Sequence, residues 1–149
     1  MKVGFIGLGN MGGAAARNIQ RGGFDLIAHD IEKAAAKKLI EYGASWADTP
    51  AETINQVDIV VTMVFGPKEI EQVVRGEHGL LSGNCQHKVW IDLTTSSSML
   101  MRELAAEFEQ AGGLPVDAPV TGSVDAAIRG DMKCLSVEPI RLWQMPIRS

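Results

Sequence analysis

The chain of 149 residues has few of the features that build metal sites, disulfide frameworks or membrane spans. Its two cysteines, Cys85 and Cys134, are far apart, and neither has Cys or His neighbours at the spacing that a metal site requires. We therefore predict no bound metal, and two free thiols favour the reducing cytoplasm as the location. No apolar run approaches the roughly 18 residues of a membrane-spanning helix, and glycines interrupt the N-terminal stretch where a signal peptide would lie.

The chain also has only a small excess of charge of one sign. The chain has 14 basic and 18 acidic residues, a net charge of −4, and no basic run. Nucleic acids and anionic membranes are bound by clustered lysines and arginines, so we predict neither as a partner. Hydrophobic residues make up 46% of the chain and charged residues 21%, which is ordinary for a globular protein, and the length fits one domain.

Short apolar runs alternate with helical patterns along most of the chain. The predicted strands are KVGFI, DLIAH, SW, DIVVTMV, KVWIDL and the segment 114–120. The predicted helices cover residues 10–21, 31–42, 49–55, 68–75 and 96–111. Strands separated by helices favour βαβ crossovers and a parallel sheet. We therefore predict an α/β fold, a Rossmann-type doubly wound and mostly parallel sheet in a single domain.

A glycine pattern, GLGNMG, occupies residues 7–12 between the first predicted strand and the first predicted helix. In this setting Gly7 would permit a tight turn, Gly9 would let the backbone approach a pyrophosphate, and Gly12 would let helix and strand pack closely. The start of the helix would add free N–H groups and the positive end of the helix dipole. We predict a dinucleotide-binding loop; a plain strand-to-helix turn is the alternative.

Asp30 ends the second predicted strand, about 20 residues beyond the glycine pattern. A carboxylate at this position accepts hydrogen bonds from the ribose hydroxyls of NAD and repels the 2′-phosphate of NADP. No arginine adjoins it, so the sequence favours NAD over NADP. Asp30 is also a good residue to cap the following helix, and the two roles are compatible.

Four segments, in order, are GFIGLGNMGGAAARNIQRGGFDLIAHD, VDIVVTMVFGPKEIEQVV, VWIDLTTSSS and DAPVTGSVDAAIRGDM. Together they resemble the β-hydroxyacid dehydrogenases, a family that includes 3-hydroxyisobutyrate and tartronate-semialdehyde reductases and is similar to the cofactor domain of 6-phosphogluconate dehydrogenase. The resemblance covers residues 1 to about 136. It implies an NAD(P)-dependent oxidoreductase that acts on a small hydroxyacid.

The resemblance also implies roles for individual residues. The implied cofactor-binding residues are Gly7, Leu8, Gly9, Asn10, Met11 and Gly12 at the pyrophosphate, Asp30 at the adenine ribose, Met63 and Val64 along the cofactor groove, and Thr95 near the nicotinamide ribose. Those implied for the substrate carboxylate are Thr121, Gly122 and Ser123, which match a Ser-Gly-Gly motif. The chain departs from the pattern at Thr121, at Ser123 in place of the second glycine, and at Ser97 in place of a proline.

Members of this family carry a second, all-helical domain that supplies a lysine as general acid and base. Hydride transfer at a carbonyl also needs a proton transfer at its oxygen. No lysine of this chain stands in the corresponding motif, and the resemblance ends near Val137. We therefore expect residues 1–136 to be an NAD(P)-binding Rossmann domain and 137–149 to be an atypical tail, with no helical domain. We expect this chain to be a truncated dehydrogenase that lacks the catalytic lysine.

Three functions remain open for such a chain. It would be an active 3-hydroxyacid dehydrogenase, a module that holds NAD(H) without turnover, or a folded relic that binds nothing tightly. The missing proton-transfer group favours the module. We also expect self-association, because loss of a helical domain would expose apolar surface.

Overall fold

The computed structural model describes residues 1–135 and 138–139. Within them the chain forms these strands: β1 (Lys2–Ile6), β2 (Asp25–His29), β3 (Ser45–Trp46), β4 (Ile59–Thr62), β5 (Val89–Asp92), β6 (Leu114–Asp117), β7 (Val120–Thr121), β8 (Lys133–Cys134) and β9 (Glu138–Pro139). The main sheet has the order β3-β2-β1-β4-β5-β6-β9. Its strands are parallel except for β9, which is antiparallel to β6, while β7 and β8 form a separate antiparallel pair.

The helices alternate with the strands. They are α1 (Asn10–Arg21), α2 (Lys37–Glu41), α3 (Pro50–Asn55), α4 (Pro67–Arg75), α5 (Ser98–Gln110) and α6 (Val124–Arg129), with 3-10 turns at Lys33–Ala36 and Leu80–Ser82. At the start of α3, the local sequence alone accounts for the helix. Pro50 stands at the first helical position, and the Thr49 hydroxyl accepts a hydrogen bond from the Glu52 N–H (3.0 Å).

Two clusters of buried side chains flank the sheet, and the strands contribute to them alternately. In β2 the middle residue Ile27 belongs to one cluster, while its neighbours Leu26 and Ala28 belong to the other. In β4, Val60 and Val61 divide in the same way. Successive side chains of a strand point to opposite faces, so the sheet is covered on both sides. This double covering leaves the ends of the strands as the accessible part of the sheet.

The predicted fold class, a doubly wound and mostly parallel α/β sheet, is confirmed. The helix predicted from residue 31 begins instead as a 3-10 turn at Lys33 and becomes α-helical at Lys37. The strand predicted over 114–120 ends at Asp117, and Val120 pairs with β8 instead. No helix in residues 1–135 is long and apolar enough to cross a membrane. The predicted tail, 137–149, lies outside the described residues except for β9.

Candidate functional site

The order of the main sheet reverses beside β1. Strand β2 lies on one side of β1, and β4, the later strand, lies on the other. Crevices at the carboxyl ends of parallel strands, where the order reverses, are where such sheets bind ligands. One row of paired residues crosses this edge of the sheet, and it consists of His29, Ile6, Thr62, Asp92 and Asp117. The loops that follow this row carry most of the residues predicted to bind the cofactor.

The glycine loop begins where β1 ends. Gly7 has φ +98, and a Cβ on it would lie 2.0 Å from the backbone oxygen of Met63. A Cβ on Gly12 would lie 2.0 Å from the backbone oxygen of Gly7. These two positions therefore exclude any side chain, because the obstacle in each case is backbone. They hold the start of α1 tightly against the ends of β1 and β4.

Gly9 has the opposite environment. It is exposed, and nothing lies within 4 Å of the place where its Cβ would be. It is also the N-cap of α1, with φ −63, so no capping side chain occupies the first-turn N–H groups. A helix start with free N–H groups and open space above the backbone can bind an anion. The loop therefore fits a pyrophosphate, and the fit depends on the contrast between Gly9 and its two enclosed neighbours.

Asp30 follows β2 and lies against this loop. Its Oδ2 accepts a hydrogen bond from the Leu8 N–H (2.7 Å), and its Oδ1 accepts one from the Glu32 N–H (2.8 Å). The carboxylate is thus fixed beside the open end of the glycine loop, and each oxygen can accept a further hydrogen bond. Asp30 does not cap the next helix, since Glu32 is the N-cap residue of the 3-10 turn that begins at Lys33.

The loops after β4 and β5 lie at the same edge of the sheet. Met63 and Val64 are half-buried and directly follow β4, while Thr95 is exposed in the loop after β5. The two loops are joined by a hydrogen bond from the Val64 N–H to the Thr94 hydroxyl (3.2 Å). The structure therefore brings the predicted groove residues to the same edge as the glycine loop.

Asp92 lies beneath these loops, and its role was not predicted from the sequence. It is the last residue of β5 and is 0% exposed. Its Oδ1 accepts hydrogen bonds from the Thr62 hydroxyl (2.6 Å) and from the Thr94 N–H (3.2 Å), whereas its Oδ2 has no partner among the described residues. Burial, the largest effect, and the charge of Asp117 together raise the pKa of Asp92 to about 7, against the lowering effect of its hydrogen bonds with Thr62 and Thr94. The acidic residue in VWIDL was the available signal, but its burial depends on the neighbouring strands.

The predicted carboxylate-binding loop follows β7. Gly122 has φ +144, a conformation that favours glycine, whereas Ser123 has φ −93 and ψ 172, which any residue adopts. The Ser123 hydroxyl accepts a hydrogen bond from the Ala126 N–H (3.2 Å) and caps α6. Serine therefore fits the backbone at this position without strain, although the resemblance would place glycine there.

Two further contacts position this loop. The Asn18 amide on α1 donates a hydrogen bond to the Ala127 carbonyl (2.6 Å), so α6 is packed beside the helix that carries the glycine loop. Lys133 of β8 pairs in register with Thr121 of β7 and is exposed. The structure thus places a cationic side chain next to the predicted carboxylate loop, a neighbour that sequence reasoning missed because it depends on the β7–β8 pairing.

Comparison with known proteins extends over nearly the whole chain. The family model for the NAD binding domain of 6-phosphogluconate dehydrogenase matches residues 2–137. The chain is 35% identical over 144 residues to the uncharacterized oxidoreductase YfjR of Bacillus subtilis (strain 168), a stretch that covers 97% of the chain and 50% of the relative. It is 37% identical over 130 residues to mitochondrial 3-hydroxyisobutyrate dehydrogenase of Mus musculus, covering 87% of the chain and 39% of that protein.

A solved structure shows the same similarity. Psf3 in complex with NADP+ and 2-OPP matches with a TM-score of 0.82 at 28% identity, covering 89% of the chain and 47% of Psf3. The chain therefore spans about half the length, or less, of the proteins that it matches.

Proposed function

This chain belongs to the family of the NAD-binding domain of 6-phosphogluconate dehydrogenase, and we propose that it holds NAD(H) for an oxidoreductase acting on a small 3-hydroxyacid. The family makes the cofactor a nicotinamide dinucleotide. The observation that carries the proposal is the glycine loop, which is closed by backbone at Gly7 and Gly12 and open at Gly9. When bound, the nicotinamide supplies a hydride or accepts one.

The protein's part in this function is to bind and orient the dinucleotide. We assign the pyrophosphate to the loop from Gly7 to Gly12, whose N–H groups at the start of α1 are not capped by a side chain. Asp30 would hold the adenine ribose from its fixed place beside Leu8. Met63, Val64 and Thr95 would line the remainder of the groove along the ends of β4 and β5.

The preference for NAD over NADP is proposed from the surroundings of Asp30. Its two backbone hydrogen bonds fix a carboxylate where a ribose would lie, and a carboxylate repels a 2′-phosphate. The next residue, Ile31, is 94% exposed and uncharged. The nearby Lys33 lies over the ring of Trp46 (5.6 Å to its centroid), so its charge is held beside β3.

The substrate part of the site is proposed to be the loop of Thr121, Gly122 and Ser123. Hydroxyl and backbone N–H groups at this loop would bind the carboxylate of a small hydroxyacid. Lys133, opposite Thr121, adds a positive charge that would attract the same carboxylate. The mouse relative is named 3-hydroxyisobutyrate dehydrogenase, so 3-hydroxyisobutyrate is the first substrate to test.

We further propose that residues 1–149 by themselves bind the cofactor without completing turnover. Reaction at a carbonyl requires a group that donates or accepts a proton at its oxygen. The sequence places no lysine in the motif that supplies this proton in the family. We also propose that residues 1–136 form the cofactor domain and 137–149 a tail, because the family match ends at residue 137. The match to YfjR, over 144 residues, extends into this tail.

One experiment separates the candidate functions. NADH is titrated into the full chain and its fluorescence is followed; then NAD is added with 3-hydroxyisobutyrate, glycerate or 3-hydroxypropionate, and formation of NADH is followed by absorbance. Binding without turnover supports the proposal, turnover supports an active dehydrogenase, and no binding supports a relic. If turnover occurs, Lys133→Ala tests whether the lysine beside Thr121 supplies the proton.

We also propose that the chain self-associates. Two large apolar side chains on and after α6 are exposed, Ile128 to 56% and Leu135 to 69%. Exposed apolar patches favour contacts between proteins. Sedimentation of the full chain and of Ile128→Glu measures this directly, and a monomer at every concentration would contradict it.

A further inference from the structure

Asp92 makes none of the proposed cofactor contacts, yet it connects the two loops that do. Its Oδ1 accepts hydrogen bonds from Thr62 at the end of β4 and from the N–H of Thr94 after β5. Thr94 in turn accepts, through its hydroxyl, the N–H of Val64 in the loop after β4. One carboxyl oxygen therefore fixes both sides of the groove segment that carries Val64 and Thr95.

Trp90 orients the Thr62 hydroxyl that contacts Asp92. The Trp90 indole N–H donates a hydrogen bond to the Thr62 hydroxyl (2.9 Å), which leaves that hydroxyl proton directed at Asp92. Trp90 is itself 1% exposed and packs edge-on against Phe108 of α5, with ring centroids 5.4 Å apart. The orientation of the Asp92 carboxyl is therefore set by the core and not by solvent.

This environment suits a neutral acid better than a carboxylate. A buried carboxylate needs a cation or several donors on both oxygens, and here both donors reach the same oxygen. The charged group that acts on Asp92 from the adjoining strand is Asp117, its register partner on β6, which has the same sign. Thr62 from β4 and Thr94 from the following loop are uncharged. Burial is the main cause that raises the pKa of Asp92 to about 7, and burial also raises the pKa of Asp117.

We propose that Asp92 is a positioning residue of the dinucleotide groove that acts as a neutral acid, and that loss of its proton loosens the loops carrying Val64 and Thr95. The inference rests on the proposed cofactor function and goes beyond it. It makes the affinity for the dinucleotide depend on the protonation of a side chain beneath the groove. Ionisation strengthens the hydrogen bonds that Oδ1 accepts, but it leaves Oδ2 charged, beside Asp117 and without a partner among the described residues. The loops above it must then part to let water reach that oxygen.

The test is the pH dependence of NADH binding to the full chain and to Asp92→Asn. Asparagine keeps an oxygen that can accept from Thr62 and Thr94, but it cannot ionise. If only the neutral form binds, the dissociation constant of the unaltered chain rises about tenfold between about pH 6 and about pH 8. For the asparagine variant we expect a change of less than about twofold over the same range. A flat profile for the unaltered chain, or the same profile for both proteins, would overturn the proposal.

Asp117→Asn sharpens this comparison. Removing the neighbouring negative charge favours ionisation of Asp92, so the fall in affinity should begin at a lower pH than in the unaltered chain. A shift to higher pH, or no shift, would contradict the electrostatic link between the two carboxyls. The variant leaves the Oδ1 contacts of Asp92 in place.

A second measurement does not depend on any variant or on cofactor. The carboxyl carbon of Asp92 is followed by NMR in the full chain without cofactor as the pH changes. A midpoint near neutrality supports the proposal, and a midpoint below about pH 5 overturns it even if Asp92→Asn fails to fold. The proposed function fails in a different way, because then NADH does not bind at any pH.

Discussion

The two halves of the proposed site use an aspartate at the end of a strand in opposite ways. At the β2 end, Asp30 is half-buried and each oxygen accepts a backbone N–H, so a charged carboxylate faces the glycine loop. At the β5 end, Asp92 is enclosed, both of its donors reach one oxygen, and the other oxygen has no partner in the described part of the chain. Donors on both oxygens stabilise a charge, whereas burial with donors on one oxygen favours the neutral acid.

The same contrast appears in the loops that these strands carry. The glycine loop is held rigidly, because backbone atoms fill the space beside Gly7 and Gly12. The loops after β4 and β5 are held instead by side-chain hydrogen bonds that pass through Thr94 and end on Asp92. The first half should therefore respond to changes in shape, and the second half to changes in protonation.

The largest expected effect comes from Gly12→Ala, and Gly9→Ala is the separate variant with which it is compared. A Cβ at Gly12 would meet the backbone of Gly7 at 2.0 Å, while one at Gly9 meets nothing within 4 Å. We expect the first variant to lose about 3 kcal/mol or more of unfolding free energy, because α1 must move away from the loop. The second should change stability by less than about 1 kcal/mol but weaken NADH binding, because its methyl group occupies the approach to the pyrophosphate.

Denaturant unfolding and NADH titration measure the two effects separately. Equal loss of stability in both glycine variants would show that the loop is closed throughout. Normal NADH binding by Gly9→Ala would place the pyrophosphate elsewhere.

The next effect concerns stability and pH at Asp92. Its pKa is raised on folding from 3.8 to about 7, so the folded chain binds more protons than the unfolded chain between those values. The stability of the unaltered chain therefore falls as pH rises through that window and levels off above it. Relative to Asp92→Asn, we expect a loss of about 3 kcal/mol between about pH 5 and about pH 8.

Denaturant unfolding of both proteins at several pH values measures this difference. Because every other titrating group is common to the two chains, subtracting the curves isolates residue 92. A difference that does not change with pH would mean that the carboxyl is ionised throughout, and the contrast with Asp30 would then be lost.

A smaller effect is expected at the other aspartate. Asp30→Ala removes the proposed ribose contact and also leaves the Leu8 N–H without its acceptor. We expect NADH affinity to fall about tenfold and NADPH affinity to fall less, because removing the carboxylate also removes the repulsion of a 2′-phosphate. Glu32→Ala is the matched control, since Glu32 is an exposed acidic neighbour that offers Asp30 only its backbone N–H. Fluorescence titration measures the affinity of each variant for NADH and for NADPH. An equal loss of affinity for the two dinucleotides would contradict the ribose role of Asp30.

The half of the site around the glycine loop was predictable from the sequence, because its signals are local. β1, α1 and β2 have the bounds expected from apolar runs and glycine turns. The family and the dinucleotide cofactor were predicted from the same segment and its successors, and the family match confirms them.

The other half depends on contacts between strands that are distant in sequence. The burial of Asp92 requires β5 to lie between β4 and β6, an order that no local pattern encodes. Lys133 reaches the proposed carboxylate loop only because β8 pairs with β7. The helix α6 is a different case, since Ser123 followed by Asp125 is a recognisable helix start that the Ser-Gly-Gly comparison obscured.

The smallest expected effect tests that helix start. Ser123→Gly restores the residue that the resemblance would place there, and it removes the hydroxyl that accepts the Ala126 N–H. Glycine is tolerated at an N-cap, so we expect a loss of only a few tenths of a kcal/mol, whereas Ser123→Ala should lose about 1 kcal/mol. The backbone at Ser123 is extended, so neither variant relieves strain. If Ser123→Gly instead raised the stability, Ser123 would have to be strained, which its φ of −93 and ψ of 172 do not indicate. The Ser123 cap would then order the loop after β7 less than the structure implies.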